Sequence, residues 1–212
     1  MSKRVLVLAP HTDDGELACG ATISKMLRNG IEVFYVAFST CEESLPDGLK
    51  KEDIINELYK ATSVLGIKRD NIKILDYKVR YFEDNRQSIL DDLIKICNQI
   101  NPDVVFSPSV HDVHQDHVTI AKECIRAFKK KTILQYEVPW NNLTFDNQLF
   151  ITVDDIDVRN KVAAVACYKT QVGKKYVEKD FIEGLMITHG VQIGAEYAEV
   201  FEAPRIIVKE LV

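Results

Sequence analysis

The chain has 212 residues, of which 46% are hydrophobic and 28% charged, with a formal net charge of −5 at pH 7. These are ordinary values for a soluble globular chain, and the acidic balance argues against general nucleic-acid binding, which needs a basic face. No apolar run reaches the roughly 18 residues of a membrane span, and the five cysteines (Cys19, Cys41, Cys97, Cys124, Cys167) are scattered without CxxC spacing, as expected of reduced thiols in a cytoplasmic protein.

The start, "MSKRVLVLAPHTDD", has the positive tip and short apolar run of a signal peptide. Pro10 and His11 break that run and no small-residue cleavage site follows, so it reads as a first strand over 3–9, covered on both faces. A helix over 16–29 follows, stopped by Asn29-Gly30, and "IEVFYVAFS" (31–39) is the second strand. "CEESLPDG" is a polar loop broken by Pro46 and Gly48. A helix at about 49–65, ended by Gly66, leads to a short strand at 71–76. Residues 77–85 mix charges and aromatics and match neither periodicity. Then come a helix over 86–100, a strand over 102–109, a helix from about 115 to 129 and a strand over 132–138. Beyond Pro139 the pattern changes to a strand at "NQLFITVD", a helix capped by Asp154 or Asp155, a helix over 176–193 and a strand-like end. The alternation predicts one domain over 1–212, a Rossmann-like three-layer α/β/α fold with a mostly parallel sheet.

In such sheets ligand sites lie beyond the carboxyl ends of the strands. The first strand ends in "HTDDGE" (11–16), where three carboxylates fall within four residues and call for something positive nearby. The strand "DVVFS" ends in "SVHDVHQDH" (109–117), which holds three of the five histidines. Taken singly, Asp13 or Asp14 reads as a helix cap and His114 and His117 as surface histidines on a first helical turn. Together, two imidazoles and a carboxylate from these loops make a divalent-metal site with open positions for water. One aspartate of the pair can bind the ion while the other takes a proton from water, and a histidine of the second loop can donate to a developing oxyanion.

This pair of motifs resembles the LmbE/PIG-L family of zinc-dependent de-N-acetylases, whose signatures are "HPDDE" or "HPDDxE" and a later "HxDH"; here they stand as "HTDDGE" and "HQDH" (114–117). The likeness extends to "ELACGATI", "NPDVVFSP", "KVAAVACYKTQ" and "GAEYAEVFE". It implies that His11, Asp14 and His117 hold Zn2+, or another divalent metal such as Fe2+. It also implies that Asp13 is the general base, that Asp116 orients the neighbouring catalytic histidine, and that His114 stabilises the oxyanion. The family's substrate-contacting arginine matches Arg86 most closely in position, with Arg80 weaker. Thr12 stands where the family usually has proline, and Gly15 shifts the glutamate by one place; neither change removes a ligand.

The resemblance implies a hydrolase that removes the acetyl group from an N-acetylated amino sugar (GlcNAc-type) or its conjugate, and it allows a homo-oligomer. Alternatives are a metal-dependent amidase on a non-sugar N-acyl substrate and a non-catalytic nucleotide-sugar or metabolite-binding α/β domain. The latter would use the helix N-terminus after the first strand, though its acidity opposes a phosphate. The rims are expected at 40–50, 77–86 and 137–150, with Trp140 and Tyr81 as stacking candidates. Cys19 reads as a packing residue, His189 and Tyr197 as structural, and His111 and Asp112 as either support for the site or plain loop.

Overall fold

The computed structural model describes residues 3–45 and 48–208; Pro46, expected to break the loop after the second strand, lies outside them. The chain runs β1 (Arg4–His11), α1 (Asp14–Arg28), β2 (Glu32–Ser39), α2 (Lys51–Leu65), β3 (Ile72–Ile74), α3 (Arg86–Ile100) and β4 (Val104–Pro108). It continues α4 (Gln115–Ala127), β5 (Thr132–Tyr136), β6 (Leu149–Thr152), α5 (Asp155–Val165), α6 (Lys179–Ile193) and β7 (Ala198–Arg205). The seven strands form one sheet in the order β3-β2-β1-β4-β5-β7-β6. The first five are parallel, and β7 runs antiparallel to both β5 and β6. The change of pattern after Pro139 is this reversal at one edge.

Strand β1 is buried at every position but its ends, because helices cover both faces. Val5, Val7 and Ala9 point into a core shared with Cys19 and Ile23 of α1, Leu58 and Ala61 of α2, and Ala164 of α5. Leu6 and Leu8 point the other way, against Ile89 and Leu93 of α3 and Ile120 and Cys124 of α4. The expected mostly parallel α/β/α layering is therefore present. The chain winds outward from β1 to β3 and then returns to place β4 on the other side of β1. That reversal opens a crevice beyond the carboxyl ends of β1 and β4, where the two polar motifs emerge. Among the described residues no helix is long and apolar enough to cross a membrane.

Helix α1 is broken one turn in. Cys19 leaves helical geometry at φ −131° and ψ 26°. The amides of Ala21 and Thr22 donate to the Glu199 carboxylate of β7, at 3.2 and 2.7 Å. Lys161 of α5 pairs with the same carboxylate at 2.6 Å and donates to the Ala18 carbonyl at 3.3 Å. A buried ion pair thus satisfies the backbone groups freed by the break, and the first turn of α1 is free to take its own direction at the end of β1.

Both members of that pair are buried, and removing one leaves an uncompensated charge. Lys161→Ala is expected to lower stability by about 3 kcal/mol, read as a shift of the urea unfolding midpoint at unchanged slope.

Candidate metal centre and active site

His11 is the last residue of β1, and Asp14 opens α1 three residues later. The Asp14 carboxylate turns back onto the strand end, accepting the His11 amide at 2.8 Å through Oδ2. His117 comes from the first turn of α4. Oδ2 of Asp14 lies 3.2 Å from Nδ1 of His11 and 3.2 Å from Nε2 of His117, and those two nitrogens lie 3.2 Å apart. Ligands on a tetrahedral zinc at about 2.0–2.1 Å are separated by about 3.3 Å. The triangle is therefore one face of such a tetrahedron, with the fourth corner left for water or substrate.

The outward nitrogens fix which atoms face inward. His11 donates through Nε2 to Asp116 Oδ2 at 3.1 Å, and His117 donates through Nδ1 to Asp112 Oδ2 at 2.7 Å. Each neutral ring then directs its lone pair into the triangle, the arrangement by which carboxylates orient metal-ligating imidazoles. Asp112 and Asp116 are both buried. Asp112 also accepts the His114 amide at 2.7 Å, and Asp116 accepts the amides of Arg80 and Phe82 at 2.7 and 3.4 Å. The segment 77–85, which follows neither helical nor strand periodicity, is thus a donor loop for Asp116, with Arg80 in the left-handed region at φ 70°.

Asp116 lies between two histidines, its Oδ2 3.1 Å from His11 Nε2 and 4.0 Å from His114 Nδ1. The Asp116 carboxylate serves His11, while His114 Nδ1 accepts from the backbone N–H of Asp116 at 3.2 Å as the cap of α4. The capping bond leaves the proton of the neutral ring on Nε2, so His114 presents a donor. One ring nitrogen each of His11, His114 and His117 falls in a group spanning at most 4.8 Å. The Asp14 oxygen closes a tighter group, the triangle at 3.2 Å, and supplies negative charge.

Burial alone would lower the pKa of His11 and His117, but the Asp14 charge and the flanking carboxylates raise them to about 9 and about 10. For Asp14, burial pushes upward and is outweighed by the two histidines, which hold it well below the usual carboxylate range. His114 shifts down through burial and the charges of His11 and His117. Asp13 rises to about 6 through burial and the neighbouring Asp14. It occupies the N-cap position of α1, yet its side chain does not cap the helix. Glu16 is fully buried and pushed up to about 8, chiefly by burial. It faces away from the triangle toward the hydroxyls of Tyr35 and Tyr168, at 2.6 and 3.1 Å. The three clustered carboxylates are therefore shifted differently: Asp14 down, by the two imidazoles, and Asp13 and Glu16 up, chiefly by burial.

The centre opens into a cavity of about 440 Å³, lined in part by Asp13, His114, Arg80 and Trp140. Arg86, the closer sequence match for a substrate arginine, is not on its wall; it pairs with Glu123 of α4 at 2.8 Å. Arg80 does line the cavity. Trp140 lines the cavity and stacks on Tyr176, with centroids 4.1 Å apart at 12°, whereas Tyr81 lies outside the wall under Lys78. His111 pairs with Glu202 at 2.8 Å and His189 with Glu137 at 3.3 Å, both away from the cavity. Tyr197 packs beside the core between α5 and α6, and Cys19 donates to the Gly15 carbonyl at 3.3 Å. Sequence reasoning missed Glu202, which accepts Ser109, His111 and the Asp146 amide and so holds the second motif's loop. Its only sequence signal is a charged residue inside a buried strand.

Residues 6–128 match the family described as PIG-L, GlcNAc-PI de-N-acetylase. The chain is 31% identical over 174 residues to the uncharacterized deacetylase YaiS of Escherichia coli (strain K12), across 79% of this chain and 91% of that protein. It is 29% identical over 147 residues to a probable N-acetyl-alpha-D-glucosaminyl L-malate deacetylase 2 of Bacillus cereus, across 61% of this chain and 63% of that one. Among solved structures, a conserved protein of Thermus thermophilus superposes with a TM-score of 0.79 at 23% identity, covering 97% of this chain and 96% of the other, a likeness of fold.

Asp112 holds His117 without facing the triangle. Asp112→Ala is expected to weaken metal affinity about 10- to 100-fold, measured by competition with a chromophoric zinc chelator. His11→Ala, which removes a ligand atom, should abolish stoichiometric binding in the same titration.

Proposed function

The chain belongs to the PIG-L family of de-N-acetylases, and on that premise we propose that it is a metal-dependent hydrolase that removes the acetyl group from an N-acetylated amino sugar or its conjugate. The family's described substrate and the Bacillus cereus relative's name both support a GlcNAc-type sugar. The observation that carries the reading is the triangle of His11, Asp14 and His117 with a further carboxylate, Asp13, beside it that neither caps its helix nor belongs to the triangle.

His11, Asp14 and His117 would hold the ion, zinc or another divalent metal such as iron(II). When bound, the ion would supply Lewis-acid polarisation of the acetyl carbonyl and a more acidic water. The chain's own groups do the rest. Asp13 takes a proton from the attacking water and returns it to the amide nitrogen as the C–N bond breaks, so that water and acetamide become acetate and a free amine. A pKa near the working pH suits a group that must both accept and return a proton. His114 donates through Nε2–H to the oxygen that gains negative charge. Asp116 and Asp112 keep the two ligating rings turned inward. Arg80 and the Trp140 face contact the sugar at the cavity wall.

The test is acetate release from N-acetylglucosamine conjugates. The wild type is expected to turn over, to stop after treatment with a chelator and to recover when the ion is restored. Asp13→Asn should bind metal as the wild type does and lose at least about a hundredfold in kcat. Turnover indifferent to both chelator and Asp13→Asn would refute the assignment.

A further inference from the structure

Three buried side chains with no part in the chemistry above converge on the turn that carries Asp13 and Asp14. The Tyr168 hydroxyl donates to the Thr12 carbonyl at 2.7 Å, and the Tyr35 hydroxyl lies 3.0 Å from the same oxygen. Tyr35 also accepts the Gly15 amide at 3.1 Å. Glu16 bridges the two hydroxyls. The peptide before Asp13 is thus held by its carbonyl and the peptide after Asp14 by its N–H, so both flanks of the aspartate pair are tied to one network. A Cβ on residue 15 would stand 2.5 Å from the Tyr35 ring, so the glycine in "HTDDGE" is what lets that ring lie against the turn. Tyr168 is itself fixed from the next residues: Glu57 of α2 accepts the amides of Lys169 and Thr170 at 2.9 and 3.3 Å.

An aspartate at an N-cap position ordinarily takes extended backbone geometry and bonds to the first amides of the helix. Asp13 sits at φ −99° and ψ −10° and makes no capping bond. Resting on the proposed deacetylase reading, we propose that Tyr168, Tyr35 and Glu16 are positioning residues for Asp13. By clamping the peptides on either side of the aspartate pair they keep the Asp13 carboxylate out of the capping conformation and facing the cavity. Tyr168 lies outside the 6–128 stretch that carries the family match, so this part of the machinery is supplied by the later half of the chain.

The test is Tyr168→Phe, which keeps the ring and removes the hydroxyl. The variant is compared with the wild type and Asp13→Asn for kcat, KM, bound metal, thermal midpoint and amide exchange across residues 12–17. The expected result is a kcat about tenfold lower, with KM within about twofold, wild-type metal content and faster exchange across the turn. A wild-type kcat, or a loss that only tracks lost metal or lost folded protein, overturns the proposal. Where Tyr168→Phe does not fold, Tyr35→Phe is read in the same way. If the wild type releases no acetate, the deacetylase reading fails and the exchange data alone decide whether the clamp holds the turn. If the wild type is active, Asp13→Asn is not, and Tyr168→Phe matches the wild type, the clamp alone fails.

Discussion

Two imidazole lone pairs and one carboxylate oxygen, all 3.2 Å from one another, cannot stay together without positive charge between them. That constraint organises what surrounds it. With the outward ring nitrogens donating to Asp112 and Asp116, neutral rings have no proton left for the space between them. Either extra protons or a cation must enter, and the upward shifts of both histidines express the same demand in the language of protons. A divalent ion meets it with more charge at one point, and the two outer carboxylates strengthen the rings as ligands.

The chain beyond α4 contributes no member of the triangle, yet it holds the site in shape. Glu199 and Lys161 stabilise the break in α1 that frees its first turn, and Glu202 grips the loop that leads to His114 and His117. A backbone bond from the Val113 amide to the Asn141 carbonyl, with the bridge between Asp112 and Asn142, stitches that loop to the segment carrying Trp140. The antiparallel edge of the sheet therefore acts as a brace. This division follows from topology: the switch point between β1 and β4 sets where ligands converge, while long-range side chains decide how tightly they are held.

The fold was legible because the parallel strands are continuous apolar runs and the helices alternate with them at ordinary lengths. The two motifs were legible because both sit at strand exits. Their internal wiring was not. The resemblance assigned Asp116 to a neighbouring histidine without saying through which atoms: its amide donates to the His114 cap, and its carboxylate accepts from His11 across the sheet. Arg86 matched by position, but in the structure its side chain pairs with Glu123 of α4. Arg80 reaches the cavity because a left-handed backbone residue aims the loop, and no local periodicity encodes that turn. Glu16, Tyr35 and Tyr168 come from α1, β2 and the loop after α5, and only packing shows that they meet.

Three carboxylates lie within four residues, and each is in a different state because each points somewhere different. Asp14 faces two imidazoles and is held low; Glu16 faces two phenols in the core and is pushed up to about 8; Asp13 faces the open cavity beside Asp14 and lies between them, at about 6. A single chain segment can reach this separation only if the backbone between the three side chains is rigid, since a rotation of one peptide would exchange the environments. The helix dipole does not distinguish them, for all three sit at the same N-terminal turn. What distinguishes them is where the surrounding donors stand: imidazoles beneath Asp14, tyrosine hydroxyls behind Glu16, and solvent-facing space before Asp13. On the deacetylase reading this division supplies ligand, structural acid and base from one turn of helix, and the chemistry depends on the turn being held as much as on the residues it carries.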